Sequence, residues 1–167
     1  MGAGILPVAI HQGQLYFLFG QEHDTRDWSD FGGGQQGSET PLQNAVREAC
    51  EELNGFLGCK SDLVRLIHQK TVLKVTVETY VTYVVHIPFD QNLPVYFNNH
   101  HKFIKTHLPK QIGTDGLFEK STIRWFSIPE LRRQRKIFRP FYRRVLDAVL
   151  QQVPTAHANA NADAYTA

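Results

Sequence analysis

The chain begins with the apolar run GILPVAIH (4–11), breaks at Gln12-Gly13-Gln14, and resumes in LYFLFGQ (15–21). Two such runs about a short glycine-bearing turn predict a β-hairpin. Over residues 22–41 the apolar pattern lapses into Gly, Asp, Ser and Gln, which predicts a loop. The period then changes. Leu42, Ala45, Val46, Ala49 and Leu53 recur at helical spacing, so residues 42–54 predict a helix, with Thr40 as N-cap and Pro41 at the first helical position. VRLIHQKTVLKV (64–75) and TVETYVTYVVHIPF (76–89) are rich in β-branched and aromatic residues and read as two strands, separated near Lys74. The weakest pattern lies in residues 90–118, where VYFNNHHKFIKTHL suggests a helix. STIRWFSI (121–128) reads as a strand, Pro129-Glu130-Leu131 as a short turn or helix, and FYRRVLDAVLQQV (141–153) as an amphipathic helix. PTAHANANADAYTA (154–167) has no core-forming pattern and is expected to be a disordered tail. Strands with two well-separated helices predict an α/β or α+β domain over residues 1–153.

Composition narrows the class. The 167 residues suffice for one domain with a proper core. No apolar run approaches a bilayer-spanning length, and the N-terminus lacks the basic region and long apolar run of a secretory signal. Cys50 and Cys59 form neither a disulfide framework nor a zinc spacing, so a reducing compartment, cytoplasmic or nuclear, is the expectation. The net charge of +2 is unevenly spread: RRQRKIFRPFYRR (132–144) holds seven of the 18 basic residues and no acid, leaving 11 bases against 16 acids elsewhere. That asymmetry points to an anionic partner. Arg132, Arg133, Arg135 and Lys136 are the candidate contacts to substrate or RNA phosphates, with Phe138, Phe141 and Tyr142 interleaved for stacking or for core packing.

The 42–54 helix carries the chemistry. At about 100° per residue, Glu48, Glu51 and Glu52 project within an arc of about 100°, away from the apolar set. Arg47 stands four residues before Glu51, within pairing reach. Three carboxylates on one patch raise each other's pKa unless a cation sits among them, and Mg²⁺ or Mn²⁺ suits an all-oxygen donor set. An acidic solvated face is the plainer explanation of E-x-x-E-E taken alone. The wider spacing of Gly33, Glu39, Arg47, Glu48, Glu51 and Glu52 fixes six positions, a coincidence expected roughly once in 10⁵ chains of this length.

This stretch, from Gly33 to Gly55, resembles the Nudix box, G-x5-E-x7-R-E-U-x-E-E-x-G-U, with U a bulky aliphatic. The sequence departs from it at Ala49, at Asn54 in place of glycine, and at Gly55 in the closing aliphatic position, while Phe31-Gly32 replaces the common Pro-Gly entry. Every charged position is kept. The resemblance implies a Nudix-like α/β/α sandwich around a mixed β-sheet, and hydrolysis of a nucleoside diphosphate linked to another moiety with Mg²⁺ or Mn²⁺. It implies Glu48, Glu51, Glu52 and the Gly33 carbonyl as metal ligands, and Arg47 and Glu51 in catalysis.

Glu119, six residues before Trp125 in FEKSTIRWFSIPEL, resembles an acid in messenger-RNA decapping enzymes and is a candidate general base. Glu78 and the box glutamates are the alternatives. The cap of capped RNA is the leading substrate on these signals. Small nucleotide conjugates such as ADP-ribose or dinucleoside polyphosphates follow, then diphosphoinositol phosphates, and, in another class, a non-catalytic nucleotide- or protein-binding module. Trp28, beside the glycine-rich loop, either stacks on a substrate base or packs on the sheet. His100, His101 and His107 are expected to be exposed rather than metal ligands.

Overall fold

The computed structural model describes the backbone of residues 1–164 and the side chains of residues 1–153. Within them the chain runs β1 (Gly2–His11), β2 (Gln14–Glu22), β3 (Trp28–Ser29), β4 (Phe31–Gly34), α1 (Pro41–Leu53), α2 (Lys60–Lys70), β5 (Thr71–Val77), β6 (Tyr80–His86), α3 (Leu93–His107), β7 (Lys120–Ser127), α4 (Ile128–Arg133) and α5 (Tyr142–Ala164). The expected hairpin is β1–β2, with Val8 opposite Phe17 and His11 opposite Gln14. The long β1 is the hub of a mixed seven-stranded sheet. It pairs antiparallel with β2 and β4 and parallel with β6, while β7 lies against β2 and β5 against β6.

Alternation along the strands builds two cores, one on each face of the sheet. Ala3, Ile5, Leu18, Ile123 and Trp125 pack with Ala45, Ala49 and Leu53 of α1, Leu63 and Ile67 of α2, and Phe97 of α3. On the other face Leu6, Val8, Phe17, Phe19 and Phe126 pack with Leu131 of α4 and Tyr142, Val145, Leu146 and Val149 of α5. The result is the expected α/β/α sandwich.

Several boundaries depart from the sequence reading. Residues 64–70, the first part of the strand expected over 64–75, are helical and belong to α2, and only the part from Thr71 on is extended. Leu63 and Ile67 are the helix's only buried side chains, four residues apart as a helix face requires, and Asp62 Oδ2 caps the start by accepting from the Cys59 amide at 3.0 Å. The turn expected near Lys74 falls at Glu78-Thr79, where Glu78 adopts φ 53°. The loop expected over 22–41 contains β3 and β4; the glycines of FGGG have little strand propensity, and their pairing to β1 is a backbone effect. Of the five α-helices among the described residues, only α2 falls where the sequence reading expected no helix. The helix read in 95–108 is α3, and α5 passes the expected limit at residue 153. For its side chains, and for 165–167 entirely, the expected disordered tail lies outside the described residues.

Candidate active site

Helix α1 starts and stops as its sequence dictates. The Thr40 hydroxyl accepts from the Gln43 amide, Gln43 Oε1 accepts from the Thr40 amide, and Pro41 follows the cap. Asn54 ends it in the left-handed conformation, φ 50° and ψ 38°. Ala45, Val46, Ala49 and Leu53 seat the helix on the sheet and set its glutamate flank against β4. The approach is close. A Cβ at Gly33 would stand 2.6–2.7 Å from the Glu48 carboxylate, so any larger residue would displace that carboxylate.

Two cations organise the acids. Arg47 lies along the outer edge. Its guanidinium meets Glu39 Oε1 at 2.7 Å and Oε2 at 3.1 Å, Glu48 Oε1 at 2.9 Å, Glu51 Oε2 at 3.1 Å and the Gly34 carbonyl at 2.9 Å. The Gly34 carbonyl also accepts from Asn44 Nδ2 at 3.0 Å, so it is fully engaged in holding loop to helix. Lys120 lies on the inner edge and is completely buried. Its ammonium reaches Glu22 Oε1 at 2.5 Å, Ser29 Oγ at 2.7 Å and Glu52 Oε1 at 3.2 Å.

Between these cations opens a cleft of about 680 Å³. Gly33, Arg47, Glu48, Glu51, Glu52 and Glu119, read from the sequence as one site, all line it. Glu22, Arg139, Asp115 and Gly116 line it too, and a second cleft of about 450 Å³ adjoins it, sharing Glu22, Gly113, Glu119 and Arg139. Arg139 Nη1 stands 3.2 Å from Glu22 Oε1. Burial holds Glu48 and Glu119 above the usual carboxylate range, and Glu52 well above it, against the pull of Arg47 on Glu48 and of Lys120 on Glu52 and Glu119. Burial also opposes the charge of Lys120, but Glu52 and Glu22 outweigh it and keep the amine protonated.

The donor set is suited to a hard divalent cation: six carboxylates, of Glu22, Glu48, Glu51, Glu52, Asp115 and Glu119, and a glycine backbone around one cleft. Glu52 Oε2 is buried without a hydrogen-bond partner, an acceptor left open on the side not taken by Lys120. Glu48 and Glu51 each give one oxygen to Arg47, and among the described residues no three such side chains already close around one point.

Other expected site residues lie elsewhere. Trp28 is buried in the α5-side core, edge-on to Phe126, and lines neither cleft; its neighbour Arg139 does, and donates its amide to the Trp28 carbonyl. Arg132, Arg133, Arg135 and Lys136 also stay out of both clefts, and Arg135 is bound to Asp147 at 2.6–2.7 Å. Glu78 pairs with Arg144 beside a separate cleft against α5. His101 is buried rather than exposed, its ring 5.6 Å from that of His23. Sequence reasoning missed Glu22, Lys120 and Arg139. The only local signals were an acid ending β2, a lysine beside Glu119, and one arginine of the basic run set apart before Pro140.

No protein-family model matches the chain. An uncharacterized protein of Acanthamoeba polyphaga mimivirus is 45% identical over 56 residues, a match spanning 30% of this chain and only 18% of that protein. Among solved structures the chain is similar to an Ap4A hydrolase from C. elegans in a binary complex, with TM-score 0.55 and 17% identity over 92% of this chain and 97% of that one. It is similar to the Nudix hydrolase RenU from M. smegmatis, with TM-score 0.50 and 18% identity over 95% and 86%. It also resembles a bifunctional NMN adenylyltransferase/ADP ribose pyrophosphatase from Francisella tularensis, complexed with AMP and a Mn ion, with TM-score 0.53 and 13% identity over 90% of this chain and 41% of that one. The fold of this chain is the Nudix hydrolase fold.

Proposed function

We propose that the protein hydrolyses a pyrophosphate bond in a nucleoside-diphosphate-linked substrate, with Mg²⁺ or Mn²⁺ as cofactor. The observation that carries this reading is the convergence of Glu48, Glu51, Glu52 and Glu119 with Gly33 on one cleft, with an unpartnered acceptor on Glu52. A divalent ion held by Glu48, Glu51, Glu52 and the Gly33 carbonyl would neutralise phosphate charge and acidify water. Arg47 orients Glu48 and Glu51, and Glu39 in turn fixes Arg47 through a two-point contact. Glu119, at the cleft wall and held above the usual carboxylate range by burial, is suited to accept the proton of the attacking water. Arg139, the one member of the basic run on the cleft, is placed to meet a substrate phosphate.

Capped RNA is the substrate favoured by the Glu119 segment and by Arg139. Small nucleotide conjugates form the second reading, favoured by the positions of Arg132, Arg133, Arg135 and Lys136 away from both clefts and by the Ap4A and ADP-ribose activities named for the similar structures. A panel of capped RNA, Ap4A, ADP-ribose and a diphosphoinositol phosphate, assayed with Mn²⁺, tests the proposal. Release of a capped nucleoside diphosphate from RNA without turnover of ADP-ribose supports decapping. Metal binding with no turnover of any pyrophosphate supports a binding module and refutes the enzyme reading.

A further inference from the structure

Lys120 is a fully buried cation inside an acidic site, and the fold makes room for it. A Cβ at Gly20 would lie 2.8–2.9 Å from the Lys120 stem, so β2 is cut away where the lysine passes. Its ammonium donates to Glu22 and Ser29 and forms an ion pair with Glu52 Oε1 at 3.2 Å. The Ser29 hydroxyl ties the group together, donating to Glu22 Oε1 at 3.0 Å. Glu52 is thereby divided: Oε1 faces the ammonium, and Oε2 is buried with no partner. A charge held against Glu22 and Glu52 acts on whatever else those carboxylates bind.

We infer that Lys120 is a built-in counter-cation that occupies one place in the carboxylate cluster, so that Glu52 offers a divalent ion a single oxygen and the cluster holds fewer ions than its carboxylates would otherwise take. Lys120 is a positioning residue, acting through Glu52 and Glu22. The inference rests on the metal-dependent reading of the cleft, and metal binding by the unaltered protein separates the two. If the wild-type chain binds no Mn²⁺ in titration calorimetry, that reading has failed. If it binds and Lys120 has no bearing on it, only this inference has.

The test is Mn²⁺ titration of Lys120→Met, followed by calorimetry and by electron paramagnetic resonance of free Mn²⁺. Removing the ammonium frees Glu52 Oε1 and an oxygen of Glu22, so the variant takes up one additional Mn²⁺ per chain or binds its first about tenfold more tightly. Should Lys120→Met fold only with Mn²⁺, rescue by the ion supports the same conclusion. Unchanged number and affinity overturn it. Ser29→Ala decides the matter if Lys120→Met does not fold under any condition. Its lysine loses one acceptor and leans on Glu52, weakening Mn²⁺ binding about threefold, the size of one modest hydrogen bond. A Ser29→Ala chain with wild-type Mn²⁺ affinity contradicts the inference.

Discussion

Replacing Asp30 with Asn should change how the stability of this protein depends on pH. Asp30 is completely buried between the sheet and α5, accepting hydrogen bonds from the Tyr80 hydroxyl at 2.8 Å and the Thr82 hydroxyl at 3.1 Å. Burial raises its pKa from 3.8 to about 7, with the Tyr80 hydrogen bond and the nearby charge of Lys120 only partly offsetting it. In the unfolded chain Asp30 ionises near its ordinary value; in the folded chain it holds its proton until about pH 7. The folded state thus binds more protons at Asp30 across that interval, and this group's contribution to stability is fully present below pH 3.8 and is lost as pH rises toward 7. At about 1.36 kcal/mol per unit, the full interval is worth about 4 kcal/mol, with a slope near one proton in its middle. Urea unfolding at a series of pH values from about 5 to 8 measures that slope. Asp30→Asn, close in size and without a titrating proton, should lose about one proton's worth of it and exceed the wild type in stability at the alkaline end. Parallel pH profiles for the two proteins would refute the reasoning.

Three further substitutions probe the cleft. Arg47→Ala removes the tie between Glu39, Glu48 and Glu51. It should cost about 1 kcal/mol in urea unfolding, because the partly exposed acids lose their partner, and, with the Gly34 carbonyl no longer tied to the helix through Arg47, weaken Mn²⁺ binding by about tenfold or more in calorimetry. Gly33→Ala should place a methyl against the Glu48 carboxylate, weakening Mn²⁺ binding about tenfold while leaving the secondary structure seen by circular dichroism intact. Arg139→Gln should raise KM about tenfold on the active substrate with little change in Mn²⁺ affinity, since the guanidinium meets Glu22 at the cleft rim and touches none of the proposed ligands.

The clustering of acids on one helix flank was legible in the sequence, as was the α/β/α class, whereas several element boundaries were not. Glu48, Glu51, Glu52 and Arg47 lie within one helix, where the turn angle alone brings side chains together, and the helix carries its own cap and stop at Thr40 and Asn54. Helix α2 was misread because Val64 and Ile67 suggested a strand, while the deciding signal was the spacing of Leu63 and Ile67. The FGGG strand gave no local signal, since its pairing comes from β1. Lys120 and Glu22 are 98 residues apart, and Asp30 lies 50 residues from Tyr80, so these contacts exist only through sheet topology. For the basic run, composition indicated charge but not destination. Arg139 reaches the cleft because its amide is pinned to the Trp28 carbonyl, whereas Arg135 and Arg144 are spent on Asp147 and Glu78.

The most direct test of the central claim pairs Mn²⁺ titration with turnover in the wild type and in Glu52→Gln. Glu52 supplies the buried, unpartnered oxygen, and the amide keeps its shape while removing its charge. The account expects saturable Mn²⁺ binding and pyrophosphate hydrolysis in the wild type, with both reduced by about 100-fold or more in Glu52→Gln. A Glu52→Gln protein that binds Mn²⁺ and hydrolyses the active substrate as the wild type does would contradict it.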